Sequence, residues 1–196
     1  MAPRKNDVRE RSVVERRGEL AAVSSHACGI LSAMDEIVLR ALERWPGVPE
    51  VYGWLALDRR GDWRLKNPAS GRFERIGNQA LREFIGRNYA ADGRGRWYFQ
   101  NGPQRVYVRL AYAPLVLHLE GEALVDHCGR AYGAPVGAWL DEEGSLVFAG
   151  ARGAALLDDR DLARYVEASR QPVEEIDRIS SRDVAARFGF DPDPAP

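Results

Sequence analysis

Two stretches of this chain carry the same order of signals: an alternating strand pair closed by an Asp-x-x-Gly turn, then an amphipathic helix. A chain that repeats such a unit is restricted to folds in which the copies bury their apolar faces together. In VYGWLALDRRGDWRL, Trp54 to Leu57 alternate up to the turn Asp58 to Gly61, and Trp63 and Leu65 follow it. Gly61 supplies the left-handed conformation that a short turn needs. IGNQALREFIGRNY then places Asn78 as N-cap before the stripe Leu81, Phe84 and Ile85. VGAWLDEEGSLVF repeats the turn with Asp141 and Gly144, and LLDDRDLARYV repeats the helix, with Asp159 as cap and Leu162, Tyr165 and Val166 as stripe. The turns correspond at an offset of 83 residues (58 to 141) and the helices at 81 (81 to 162). The pattern predicts an α+β fold: duplicated β-hairpin-helix units around an antiparallel sheet region, with a helical N-terminal segment and a helical C-terminal tail.

The flanking texture sets the boundaries. Residues 1–33 mix charges without a stable period, which makes them a mobile arm or an extension foreign to the native protein. At Met34 the pattern changes: MDEIVLRALERW has Ile37, Val38, Ala41, Leu42 and Trp45 at helical spacing, and Pro46-Gly47 stops it. Residues 34–95 therefore hold the first helix and hairpin-helix unit, 96–134 the central antiparallel strands, and 135–170 the second unit. Residues 171–196 form a helical tail ending in DPDPAP, a composition typical of disorder. VAARFGF has the texture of half a helix-turn-helix, but too few residues follow for a recognition helix.

The central stretch WYFQNGPQRVYV pairs two strand-like runs around Asn101-Gly102, the strongest short hairpin signal. Residues whose numbers sum to 203 or 205 lie opposite one another, and both registers give the same faces. Side chains alternate along a strand, so Trp97, Phe99, Val106 and Val108 share one face, which is core. Arg96, Tyr98, Arg105, Tyr107 and Arg109 share the other. Forked donors between phenol rings suit a carboxylate, phosphate or nucleobase; the alternative is that they are solvated or pair with acids of the C-terminal half. Gln100 and Gln104 flank the turn, where they adjust specificity or serve as turn residues.

Charge is unevenly spread. The net charge is −1, yet Arg59 to Arg109 carries twelve basic and four acidic residues, and Leu110 to Pro196 eight basic and sixteen acidic. These segments of +8 and −8 either mark a surface for an anion or neutralise each other. With 45% hydrophobic and 29% charged residues the balance is that of a soluble globular protein. The longest uncharged run, Leu20 to Met34, is too short to span a bilayer as a helix. Its weak apolar part and poor cleavage site do not fit a signal peptide. No membrane association and a cytoplasmic location are expected. Cys28 and Cys128 lie in no CxxC pair, so neither a zinc site nor a disulfide framework is expected.

Candidate chemistry is sparse. His127 beside Cys128 invites a thiol-imidazole dyad, but neighbours on a strand point to opposite faces. His118 lies in the apolar run APLVLHL, which fits a satisfied side chain. Asp158, Asp159 and Asp161 form an acidic cluster, either a cation site or the first turn of the second unit's helix. No nucleotide-binding, zinc-protease or nucleophile-elbow motif occurs, and no cofactor or metal is implied.

YGWLALDRRGDWRL, IGNQALREFIGRNYAADGRGRWYFQNGPQRVYV and LLDDRDL together resemble a family of uncharacterised bacterial proteins, a domain of unknown function, over Met34 to Val166. The segment order is also distantly similar to another uncharacterised bacterial family of repeated hairpin-helix motifs, for which a signalling role has been suggested. The resemblance implies an α+β fold with internal duplication and carries over no catalytic residue. The expectation is a non-enzymatic binding or regulatory protein that holds a small anionic ligand or protein partner through Arg96, Tyr98, Gln100, Gln104, Arg105, Tyr107 and Arg109. The alternatives are an enzyme built on His127 and Cys128 or on the acidic cluster, and a single-stranded nucleic-acid binder using the same basic face.

Overall fold

Apolar alternation resolves into two six-stranded sheets in the computed structural model, which describes residues 34–169 and 172–196. The first sheet holds β1 (Val51–Leu57), β2 (Trp63–Lys66), β3 (Phe73–Arg75), β4 (Tyr89–Ala91), β5 (Trp97–Asn101) and β6 (Gln104–Leu110), in the order β3-β2-β1-β6-β5-β4. The second holds β7 (Leu115–Glu120), β8 (Ala123–Asp126), β9 (Gly137–Leu140), β10 (Leu146–Gly150), β11 (Gly153–Leu157) and β12 (Asp177–Arg178), in the order β12-β9-β10-β11-β7-β8. Four short helices accompany them: α1 (Glu36–Arg44), α2 (Gln79–Arg87), α3 (Leu162–Ser169) and α4 (Val184–Phe188). The inner faces of both sheets feed one core, with Leu55, Leu57, Trp63, Phe99 and Val108 meeting Leu117, Val147 and Phe148. α2 starts where its sequence says it should: the Asn78 side chain accepts from Leu81 N–H at 2.9 Å, a cap worth about 1 kcal/mol.

The two sheets fit a duplication, although not between the segments that the sequence pattern aligns. In each sheet an antiparallel meander ends on a parallel pairing: β4-β5-β6 meets β1 through β6, and β9-β10-β11 meets β7 through β11. The registers coincide at an offset of 49 (92 to 141). Ala91↔Trp97 and Tyr98↔Tyr107 in the first sheet become Leu140↔Leu146 and Val147↔Leu156 in the second. Asp141 therefore corresponds to Asp92 and not to Asp58.

The mismatch has a physical source, because the Asp-x-x-Gly turn is used four times. At Asp58, Asp92, Asp126 and Asp141, Oδ1 accepts the backbone N–H groups two and four residues on. The glycine three residues on takes φ of 80°, 76°, 77° and 82°, the left-handed residue of a bulged hairpin turn. Any pair of these turns aligns locally, and only strand order identifies the true copies.

Two further expectations are corrected. Residues 96–134 do not form one central region: β6 runs parallel to β1 and joins the first sheet, while β7 pairs with β11 in the second. The tail is less helical than expected and its end is fixed. β12 pairs with β9, α4 spans five residues, and DPDPAP runs back along the first sheet. There Asp191 N–H donates to Gly95 O at 3.0 Å, Leu110 N–H donates to Pro192 O at 2.8 Å, and Pro194 is buried. Free backbone groups of the sheet supply partners that composition cannot show. The proposed arm 1–33 and Cys28 lie outside the described residues.

Candidate functional site

The β5–β6 hairpin takes the 205 register, with Gln100↔Arg105 and Asn101↔Gln104 as partners. Trp97, Phe99 and Val108 enter the core. The opposite face is not open along its length. Tyr98 and Tyr107 are 3% and 1% exposed and Gln100 is 0% exposed, because α1 lies over this end of the sheet. Met34, Ala90, Tyr98 and Tyr107 form a second small apolar cluster there, with Leu39 and Tyr52 against it.

Arg96 is the fixed centre of this face. Its Nε donates to Asp92 Oδ2 at 2.8 Å, Nη2 to Tyr107 Oη at 2.8 Å and Nη1 to Tyr52 Oη at 3.2 Å. The guanidinium carbon also lies 4.4 Å from the centre of the Tyr107 ring, and that ring stacks on Tyr52 at 4.7 Å. Tyr107 Oη in turn donates to Glu50 Oε1, 3.1 Å away, and Tyr52 Oη donates to Glu50 Oε2. Burial pushes the Tyr107 phenol up to about 12. The Tyr52 hydrogen bond holds the Glu50 carboxyl below its ordinary range. At Asp92 burial opposes ionisation, but the backbone N–H groups of Arg94 and Arg96 and the Arg96 guanidinium outweigh it, so its carboxyl is lowered too. One carboxylate and two phenol oxygens thus consume the bonding capacity of Arg96.

Beside this network a cleft of about 890 Å³ opens, lined by Glu50, Tyr52, Asp92, Arg94, Arg96 and Arg105, with Pro196 at its rim. Arg105 extends over Tyr98 at 4.6 Å. Among the described residues neither Arg94 nor Arg105 has a carboxylate in ion-pair range. Gln104 Nε2 is engaged by Pro49 O at 3.1 Å, and Arg109, at the other end of β6, meets Asp193 at 3.5 Å. Of the expected binding residues the cleft gathers Arg96 and Arg105. Tyr98, Gln100 and Tyr107 lie beneath the surface, and Gln104 and Arg109 stand apart. Sequence reasoning missed Glu50, Tyr52, Asp92 and Arg94. Asp92 and Arg94 belong to an Asp-x-x-Gly turn that could have been recognised from its likeness to Asp58–Gly61. Glu50 and Tyr52 arrive only because β1 pairs in parallel with β6.

The other candidates are held by structural partners. His127 Nδ1 accepts Val116 N–H at 3.3 Å, while its ring meets Trp63 and Tyr89 at 5.1 and 5.6 Å. Cys128 instead faces Gly86. Burial pushes His127 down to about 4 and Cys128 up to about 12, so neither is poised as base or thiolate near neutrality. Asp158 is fully buried and held by Arg160 Nε and Nη2 at 2.9 and 2.5 Å, with His118 Nδ1 3.4 Å away. Asp158, rather than Asp159, caps the turn before α3 by accepting Arg160 N–H. Asp161 accepts Leu119 N–H at 2.9 Å, and Asp159 pairs with Arg60 at 3.6 Å. Among the described residues no group of three or more His, Cys, Asp or Glu could hold a metal ion, and no helix is long and apolar enough to cross a membrane.

Fold and cleft together define a two-sheet α+β domain protein. The family model DUF2944, described as a protein of unknown function (DUF2946), matches residues 34–195, and the chain belongs to that family. The match begins at Met34, where the helical pattern begins. No curated protein matches the chain. Among solved structures it is similar to a DUF1285 family protein from Silicibacter pomeroyi DSS-3, with 17% identity and a TM-score of 0.46 over 64% of this chain and 74% of that one.

Proposed function

We propose that this is a non-enzymatic binding protein with a regulatory role, which holds an anion in the cleft beside the first sheet. The anion is a small ligand or an acidic segment of a protein partner. The observation that supports this reading is the division of labour among three arginines. Arg96 is saturated by Asp92, Tyr52 and Tyr107, whereas Arg94 and Arg105 stand at the same cleft with no carboxylate within ion-pair distance, Glu50 acting on Arg105 only at longer range. Guanidiniums in that position offer forked, charge-assisted hydrogen bonds to carboxylate or phosphate. Arg96, Tyr52 and Tyr107 act as the rigid floor that positions them. The fixed carboxylates of Glu50 and Asp92 repel an anion from the floor itself, so contact falls on Arg94 and Arg105.

The test is calorimetric titration of the intact chain with inorganic phosphate, citrate and a glutamate decapeptide, alongside the double variant Arg94→Ala/Arg105→Ala. Saturable binding that weakens about tenfold or more in the double variant, with an unchanged melting temperature, is the expected result. The reading fails if none of these anions saturates, or if removing both guanidiniums leaves affinity as it was. Tight binding of single-stranded RNA with a steep salt dependence, in place of these anions, would move the protein to the nucleic-acid class.

A further inference from the structure

Helix α1 covers the end of the first sheet with little of its own surface. Val38 is its one buried residue, while Ile37 is 70% exposed and Trp45, just after it, 53%. Its start is fastened by a polar clasp. Asp35 N–H donates to Asn88 Oδ1 at 2.9 Å, Asn88 Nδ2 to Asp35 Oδ2 at 3.2 Å, and Arg87 Nε to Asp35 Oδ1 at 3.1 Å. Its end runs into Pro46-Gly47, with Gly47 at φ 82° in open space. Beneath the helix lies an unmet demand. Gln100 is fully buried and its Nε2 donates to Gly102 O, but its Oε1 has no donor. A buried carbonyl oxygen without a partner is costly, and α1 offers nothing to satisfy it. Gln100 is the cross-strand partner of Arg105, which lies over Tyr98.

We infer that α1 is a displaceable cover, and that Tyr98 and Gln100 beneath it, with Arg105 at the adjoining cleft, form a binding site for a flat ring bearing an anionic group at one end and an N–H donor at the other. Arg105 swings off the Tyr98 ring to hold the anion, the ligand ring takes the place of α1 and of that guanidinium over Tyr98, and Gln100 Oε1 accepts the N–H. This rests on the anion reading above, since Arg105 serves both. The spacing is compact: Gln100 gives its backbone N–H to Asn88 O, so Gln100 and Arg105 are a non-hydrogen-bonded pair. The Cα atoms of such a pair lie about 4.5 Å apart with side chains close together, and a single substituted ring spans them.

The probes are 4-aminobenzoate and benzoate, which differ only in the N–H donor. A cross-link can hold the cover shut: a Cβ on Gly102 would sit 4.0 Å from the Ala41 Cβ, within disulfide span. In Ala41→Cys/Gly102→Cys, oxidised and reduced forms share any strain at Gly102, so their difference reports the cover alone. Reduced protein should bind 4-aminobenzoate about fivefold more tightly than benzoate, the worth of one hydrogen bond, and oxidation should abolish that preference. Gln100→Leu should also abolish it while leaving the melting temperature equal or higher. Asp35→Ala, which opens the clasp, should tighten 4-aminobenzoate without the cross-link. Phosphate binding at Arg94 and Arg105 with no redox effect on 4-aminobenzoate, or an amino preference that survives Gln100→Leu, overturns the cover and leaves the anion reading standing. Failure of phosphate and both benzoates in every form overturns both.

Discussion

Tyr112 donates its phenol O–H to Asp141 Oδ2 at 2.7 Å, tying the connector between the sheets to a turn of the second sheet. Asp141 is 2% exposed and its Oδ1 is already engaged by Glu143 and Ser145 N–H. Arg59 closes the junction from the first sheet, 4.4 Å over the Tyr112 ring and donating to Ser145 Oγ at 2.6 Å. Burial, then the Asp141 carboxylate, hold the phenol well above its ordinary ionisation range, so it stays a donor. Tyr112→Phe keeps the ring and strips a buried carboxylate oxygen of its partner. It should cost about 1–3 kcal/mol in urea unfolding. A loss under about 0.5 kcal/mol would mean that water takes over the bond.

Gly95 and Gly144 occupy equivalent turns with φ of 76° and 82°, yet their surroundings differ. A Cβ at Gly144 meets nothing within 4 Å, whereas one at Gly95 falls 2.1 Å from Gly189 O. Gly144→Ala should therefore cost only the left-handed backbone penalty, about 1–2 kcal/mol. Gly95→Ala adds a collision with main chain, and that chain is the C-terminal segment bound along the first sheet. It should be the more destabilising of the two and should expose residues 189–196 to carboxypeptidase. Equal losses with an equally resistant C-terminus would disprove the close approach.

Period-2 alternation made the strand pairs legible, and the WYFQNGPQRVYV faces separated as the pleat requires: Trp97, Phe99 and Val108 entered the core. What the alternation could not show is which outer face another element covers. Tyr98 and Gln100 lie beneath α1, whose contact with them spans more than fifty residues of sequence and leaves no local trace. The duplication was visible as a kind of unit but not as a register, since Asp58 and Asp92 make identical turns and differ only in which strands they join. Parallel pairing of β1 with β6, which brings Glu50 and Tyr52 to Arg96, is equally silent in sequence. DPDPAP misled by composition: its backbone is ordered by the sheet beside it, not by any core of its own.

His127 gives the fold a defined acid sensitivity. It is neutral in the folded protein, its value pushed from 6.5 down to about 4 by burial, with Asp126, His118, Arg130 and Arg152 acting on it. Below pH 6.5 the unfolded chain takes up a proton that the folded chain refuses, so stability falls as pH drops from 6.5 towards 4. The window corresponds to on the order of 3 kcal/mol. His127→Asn retains an acceptor for Val116 N–H but cannot titrate. Its stability should start lower at pH 7, through lost contact with Trp63 and Tyr89, and fall less steeply. Parallel stability curves for the two proteins between pH 4 and 6.5 would remove His127 as the cause.

The opposed charges of the two halves meet in part, across the sheets at Arg59 with Glu143 and Arg60 with Asp159, and along the first sheet at Arg109 with Asp193, at 3.4, 3.6 and 3.5 Å. All six side chains are at least 41% exposed, where water and salt screen the attraction. Arg109→Ala should therefore change stability by no more than about 1 kcal/mol. Arg152 is the opposite case. Its Nη2 lies 2.5 Å from Asp126 Oδ2, a carboxylate with no exposed side-chain surface, and Nη1 donates to Arg130 O and Ala131 O. Removing it strands a buried charge and two carbonyl oxygens, a loss of about 3–5 kcal/mol. Arg152→Ala compared with Arg109→Ala in guanidinium unfolding separates the two classes, and similar losses would show that exposure does not govern these pairs. The contrast matters for the cleft as well: charge reversal at exposed arginines can report on ligand binding without unfolding the protein, whereas the arginines that serve buried aspartates cannot be tested that way.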